Sequence, residues 1–180
     1  MEKQELETLR YPIGKFNMPE NISELQIEEW IDALEEFPER LKNLVLSLDQ
    51  EQLETPYRPG GWRVRQLIHH ISDSHHNSYI RFKWALTEDN PLIKVYDEKK
   101  WAELHDSITA PIENSLFHLE AIHRKLVFLL RGLGSNELKR TFIYPEGGVE
   151  TSLEENIGRY VWHGNHHYAH ITNLLRRKGW

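Results

Sequence analysis

Apolar residues recur at three- and four-residue steps through four long stretches of this 180-residue chain. That period commits the chain to amphipathic helices packed on one another. The first stretch runs from about Ser23 to Leu48 and carries Ile27, Ile31, Leu34, Leu41, Leu44 and Leu48. Ser23 with Gln26 forms a capping box at its start. Pro38 predicts a kink or break within it, because proline lacks an N–H and crowds the preceding turn. The second runs from about Val64 to Glu88, after a turn-rich stretch at 55–61, with Val64, Ile68, Ile71, Phe82 and Leu86 on one face. The third begins near Pro111, which suits a first helical turn, and follows Leu116, Leu119, Ile122, Leu126, Leu129 and Leu133 before Gly132 and Gly134 end it. The fourth runs from about Ser152 to Lys178 on Leu153, Ile157, Tyr160, Gly164, Ile171 and Leu174. Thr151 with Glu154 and Ser152 with Glu155 are alternative capping boxes for it, and Gly179 suits its C-cap.

Two connections are long. Residues 87–110 predict a short helix around Asp97–Leu104, and residues 135–150 predict a small hairpin or extended flap over Arg140–Gly148. Connections of this length in a compact domain are often functional. With no repeat, low-complexity tract or linker, residues 1–180 read as a single all-α domain, a four-helix bundle.

Composition narrows the function. With 22 basic and 28 acidic residues the formal net charge is −6, which opposes a nucleic-acid binder that relies on bulk positive charge. There are no cysteines, so any metal falls to His, Asp or Glu. The N-terminus MEKQELETLR has no apolar signal core, and no window approaches the ~18 apolar residues of a membrane span. The chain therefore reads as cytoplasmic, with no membrane partner.

Eleven histidines remain to be explained, and most are clustered. His69, His70, His75 and His76 lie on the second helix; His163, His166, His167 and His170 lie on the fourth. His163/His167 and His166/His170 are both i, i+4 pairs, a spacing that sets two imidazoles one turn apart on one face, as chelation of one ion requires. At about 100° per residue, with Leu153 and Ile171 at the centre of the apolar stripe, His167 lies roughly 40° off centre and His163 roughly 80°. His170 and His166 lie roughly 100° and 140° away. The inner pair is therefore His163/His167. On the second helix His75 falls on the apolar stripe and His70 on its flank, so periodicity leaves both open as a third ligand. Trp62, Trp84 and Trp162 read as packing residues. The acidic face of the first helix (Glu28, Glu29, Asp32, Glu35, Glu36) reads as solvated surface.

Longer motifs carry a resemblance. Gly60–Gln66 followed by His69-His70, Asp73-Ser-His75, Asn77–Lys83, Tyr96–Lys99, and Tyr160–His163 leading to His166-His167 resemble the YfiT-like proteins of Bacillus. Tyr11–Gly14 and the terminal Gly179-Trp180 match as well, so the resemblance covers nearly the whole chain. Those proteins belong to the wider DinB-like group of metal-binding four-helix bundles. The resemblance implies three histidine ligands: His70, the second of the paired histidines, with His163 and His167. His75 is then a pocket or supporting residue. It also implies a homodimer and zinc, with nickel sometimes in the site. Gly164 and Asn165, between the last two ligands, inherit no role.

Three neutral imidazoles leave a divalent ion an open position, the mark of catalytic rather than structural sites. Such an ion supports metal-dependent hydrolysis of a small-molecule substrate. It could instead activate a low-molecular-weight thiol, as the bacillithiol S-transferases related to this group imply. A third reading is a metal-stabilised bundle without turnover. No Ser-centred elbow, phosphate-binding Gly-rich loop or His-Glu-x-x-His motif is present, so the base is unassigned, with Asp73 and His75 as candidates for proton transfer.

Overall fold

The structure, a computed structural model, describes residues 3–180. Residues 1 and 2, which begin the charged N-terminal stretch, lie outside the described residues. The elements run α1 (Lys3–Arg10), α2 (Glu24–Val45), α3 (Gln50–Glu54), α4 (Val64–Thr87), α5 (Glu98–Trp101), α6 (His105–Thr109), α7 (Ile112–Leu130), α8 (Ser135–Leu138), β1 (Thr141–Tyr144), β2 (Val149–Ser152) and α9 (Leu153–Lys178). The protein is all-α apart from one small hairpin, and α2, α4, α7 and α9 make a four-helix bundle. Each of α2 and α4 packs against both α7 and α9. The first two long helices in the chain are therefore not the close pair that a simple up-and-down bundle would make of them.

The helix ends follow local chemistry. Ser23 Oγ accepts from the Gln26 N–H at the start of α2. Of the two capping boxes open to α9, the Ser152/Glu155 pair forms, each side chain accepting from the other residue's backbone N–H. Gly179 closes α9 in the left-handed conformation at φ 71°. Pro111 sits at the N-cap of α7 rather than inside its first turn.

Pro38 does not break α2, which runs through it. Leu34, Phe37 and Leu41 are buried on both sides of the proline, and their packing outweighs the one backbone bond it removes. The connection at 87–110 holds two short helices, α5 and α6, where one was expected. The segment at 135–150 is neither free nor wholly extended. It begins with α8, and its hairpin pairs Thr141 with Ser152 and Tyr144 with Val149. Phe142 is fully buried, and Arg140 donates to the carbonyls of Ala85 and Glu88 at the C-terminal end of α4. The hairpin is thus a lid on the core, fixed in place.

The core divides into two apolar clusters. The one under the hairpin takes Leu34 from α2, Phe82 from α4, Leu126 from α7 and Ile157 from α9. The other takes Phe37, Ile71, Leu119 and Ile171 from the same four helices. Every long helix crosses from one cluster to the other at the level of His75, His123, His163 and His167. A polar seam of imidazoles therefore cuts the bundle across its middle.

Close helix approach rests on two glycines. A Cβ on Gly158 would lie 2.6 Å from the Trp30 ring, and one on Gly164 would lie 3.0 Å from Phe37. Gly164 thus lets Phe37 lie against His75, with ring centroids 5.6 Å apart. Gly158→Ala is expected to destabilise the fold by about 2 kcal/mol, since overpacking outweighs alanine's better helix propensity. Thermal denaturation followed by circular dichroism checks this, and an unchanged or higher Tm would contradict it.

Candidate metal centre

The second helix carries its histidines in three directions. His69 turns away from the seam, its Nδ1 2.7 Å from Ser115 Oγ and its Nε2 3.3 Å from the Ala110 carbonyl. His76 and His118 pair on the α4–α7 face, Nδ1 to Nε2 at 3.0 Å. His70 and His75 both face inward, and both are buried.

His70 meets the fourth long helix. Its ring centroid lies 5.4 Å from that of His163 and 5.0 Å from that of His167, and the latter two are 4.5 Å apart. One nitrogen from each of His70, His163 and His167 falls within a set whose members lie no more than 4.8 Å from one another. A tetrahedral ion with bonds of about 2.1 Å sets its ligand atoms about 3.4 Å apart, so the three rings close by up to about 1.4 Å to share one. His166, His167 and His170 form a second such set. In that set, however, His170 has both nitrogens engaged: Nδ1 lies 3.3 Å from His167 Nδ1, and Nε2 lies 3.2 Å from the Arg10 carbonyl. Among the described residues no carboxylate joins either set.

Burial of His166 and His170 departs from the helical-wheel expectation, which turned them away from the bundle. The N-terminal segment covers them: the Arg10 carbonyl meets His170, and the Tyr11 ring lies 6.0 Å from His166. Tyr57 covers His170 from the 55–63 turn at 4.1 Å. Arg65 holds that turn in place by donating to Glu54, Gln50 and the Ala110 carbonyl.

His75 lies behind the triad. Its Nε2 is 3.3 Å from His163 Nδ1, and its Nδ1 is 2.8 Å from His123 Nε2. His123 Nδ1 in turn meets the Leu34 carbonyl at 2.5 Å. His123 is a functional neighbour that the sequence reading missed. Its signal was present, because it sits four residues after Leu119 and three before Leu126, on the apolar stripe of α7.

Asp73 is placed elsewhere. It is half-buried and does not line the cleft that reaches the triad. Burial, with the Asp106 carboxylate adding to it, pushes its carboxyl up to about 6. Burial pushes the imidazoles the other way. His70 falls to about 4, and His163 and His167 fall well below their ordinary 6.5. The triad therefore offers lone pairs at neutral pH, the form a metal binds.

The triad opens on a cleft of about 700 Å³ whose walls include Tyr57, Arg58, Trp62, Glu98, Lys99 and Trp162. Trp62 lies on His70 at 4.6 Å and Trp162 stacks on His166 at 4.5 Å, so these two packing residues also shape the opening. No residue of the 135–150 segment lines it. Tyr144 instead accepts a hydrogen bond from Arg81, which also donates to Tyr160.

With this geometry in view, likeness to known proteins becomes informative. The model of the DinB superfamily matches residues 33–171. The chain belongs to the DinB superfamily. Within it, a "putative metal-dependent hydrolase" of Oceanobacillus iheyensis is 54% identical over 171 residues, covering 95% of this chain and 98% of that protein. A Bacillus cereus protein of the same description is 54% identical over 172 residues, with 96% and 98% covered. Among solved structures, Bacillus subtilis YfiT superposes with a TM-score of 0.94 at 51% identity, covering 96% of this chain and 99% of that one. YfiT is described as "a probable metal-dependent hydrolase with an unusual four-helix bundle topology". In this DinB-superfamily chain α2 and α4 each pack on α7 and α9 rather than chiefly on one another.

Proposed function

We propose that this protein is a metal-dependent hydrolase of a small-molecule substrate, with one divalent ion, zinc first and nickel second, held by His70, His163 and His167. The observation that carries the reading is the set of three imidazole nitrogens lining an open cleft, which no carboxylate joins among the described residues. The names of the relatives agree with it. When bound at such a site, a divalent ion polarises a carbonyl and acidifies a water or thiol.

The chain's own residues supply the rest. His163 and His167 come from successive turns of α9, and His70 comes from α4, so the ligands are set by two helices that the core holds rigid. Trp62 packs on His70 and Phe37 on His75, which limits the orientations those rings can take. Arg58 and Lys99 against Glu98 give the cleft a mixed charge, suited to a polar substrate. A homodimer and a cytoplasmic setting belong to the same proposal. The exposed Phe117 and Phe128, eleven residues apart on one face of α7, supply apolar surface for the pairing.

The test is metal analysis of the purified protein together with two turnover assays. One is a screen of small esters and amides; the other measures consumption of bacillithiol by a model electrophile. About one equivalent of metal per chain, with ester or amide cleavage lost on chelation, is the expected result. Metal-dependent thiol consumption without hydrolysis would replace the hydrolase by a thiol transferase. Stoichiometric metal with neither activity would leave a metal-stabilised bundle.

A further inference from the structure

Two of the three histidines assigned to the ion are backed by other histidines, and each line of imidazoles ends on a main-chain carbonyl. His163 leads through His75 and His123 to Leu34. His167 leads through His170 to Arg10. A carbonyl oxygen can only accept, and a neutral imidazole has one N–H and one lone pair. Those two facts settle every proton in both lines. Leu34 demands an N–H from His123 Nδ1, which leaves His123 Nε2 as an acceptor. His75 must then carry its proton on Nδ1, which leaves His75 Nε2 as an acceptor, so His163 donates from Nδ1. On the other line Arg10 demands an N–H from His170 Nε2, His170 Nδ1 accepts, and His167 donates from Nδ1. The nitrogen left with a lone pair is Nε2 in both His163 and His167.

We propose that the Leu34 and Arg10 carbonyls, acting through His123–His75 and His170, lock His163 and His167 in the Nδ1–H tautomer and so reserve Nε2 of each for the metal ion. His75, His123 and His170 are positioning residues, and none of them needs to touch substrate. The inference rests on the ligand set proposed above.

Both carbonyls are free for a structural reason. Leu34 would normally accept from the N–H four residues on, but that residue is Pro38, which has none. Arg10 is the last residue of α1, where carbonyls lack a partner within the helix. The proline inside α2 therefore has a use beyond packing: it leaves an acceptor in the middle of the core. Burial supports the scheme, since it holds His123 down at about 4 and so keeps a single proton on that ring at neutral pH.

The experiment uses the full chain, ¹⁵N-labelled and metal-free, with long-range ¹H–¹⁵N correlation to read each ring's tautomer. The expected result is Nδ1–H for His75, His123, His163 and His167, and Nε2–H for His170. A structural role alone would not dictate this pattern. His163 or His167 protonated at Nε2 in a protein that nonetheless binds zinc would overturn the inference and leave the metal site standing. The expected tautomers in a protein that binds no zinc would sink the metal site and the inference with it. Zinc affinity, measured by chelator competition, gives a second readout. His123→Leu breaks the longer line and is expected to weaken binding by about tenfold to a hundredfold, the usual cost of losing support behind a ligand. His123→Gln keeps a donor for Leu34 and an acceptor for His75, and should recover most of that loss. Folded His123→Leu protein with parental affinity would count against the proposal.

Discussion

Replacing His163 by alanine is expected to leave a folded protein that retains less than about a tenth of an equivalent of metal after desalting, since a site of three ligands reduced to two no longer competes with solvent. Hydrolytic turnover should fall with it. His163 is the informative position because it separates the two sets of histidines that approach one another on α9. His167 belongs to both sets, whereas His163 belongs only to the one with His70, and His166 only to the one with His170. His166→Ala should therefore keep its metal. His76→Ala, whose ring pairs with His118 on another face of α4, serves as the control and should also keep it. Atomic absorption on the purified variants reads all three. Full metal in His163→Ala with loss in His166→Ala would move the site to the His166, His167 and His170 set, on the face of α9 that the N-terminal segment covers.

Acid is expected to unfold the metal-free protein between about pH 4 and 6, where its buried histidines are forced to take up protons. His70 and His123 are both nearly inaccessible, and burial lowers each from 6.5 to about 4. Above about pH 6.5 neither the folded nor the unfolded chain protonates them, so they leave stability unchanged. As the pH falls from 6.5 to 4 the unfolded chain takes up protons that the folded chain refuses, and stability is lost. Each such group costs about 3 kcal/mol by pH 4. Two of them alone are comparable with the whole stability of an ordinary domain, about 5–15 kcal/mol, and His75, His163 and His167 act in the same direction. Asp73 opposes them. Its folded-state value of about 6 lies above its ordinary 3.8, so it favours the fold as the pH drops through that interval. It is one half-buried group against at least five, so the histidines win. Circular dichroism across a pH series should place the unfolding midpoint between about pH 4 and 6. A helical signal intact at pH 3.5 would refute this.

How far the sequence could be read depends on the range of the interaction involved. The four long helices were legible because amphipathic period and capping chemistry are local: Ser23, Ser152 and Gly179 end their helices as their side chains and backbone preferences require. The three converging histidines were named as well, though periodicity alone left His70 and His75 open and only family likeness chose between them. The departures that bear on the site are non-local. Pro38 stays inside α2 because buried neighbours from other helices hold it. His166 and His170 are buried by a segment more than 140 residues away in the chain, which no helical wheel contains. The 135–150 segment forms the small hairpin its sequence predicts, and what the sequence could not give is its anchoring to the core by Phe142 and Arg140.

By itself, then, the sequence determined the helical class, the chief helix boundaries and the i, i+4 pairing of histidines on the last helix, all of which follow from residues within a turn or two of one another. Only the tertiary structure decided which nitrogens face which. His75 can touch His163 and His123 only because α4, α9 and α7 meet at one level of the bundle. The Leu34 carbonyl becomes the end of that line only because α2 brings a proline to the same place. Hydrogen-bond direction is a property of such juxtapositions, and it emerges only when four helices pack.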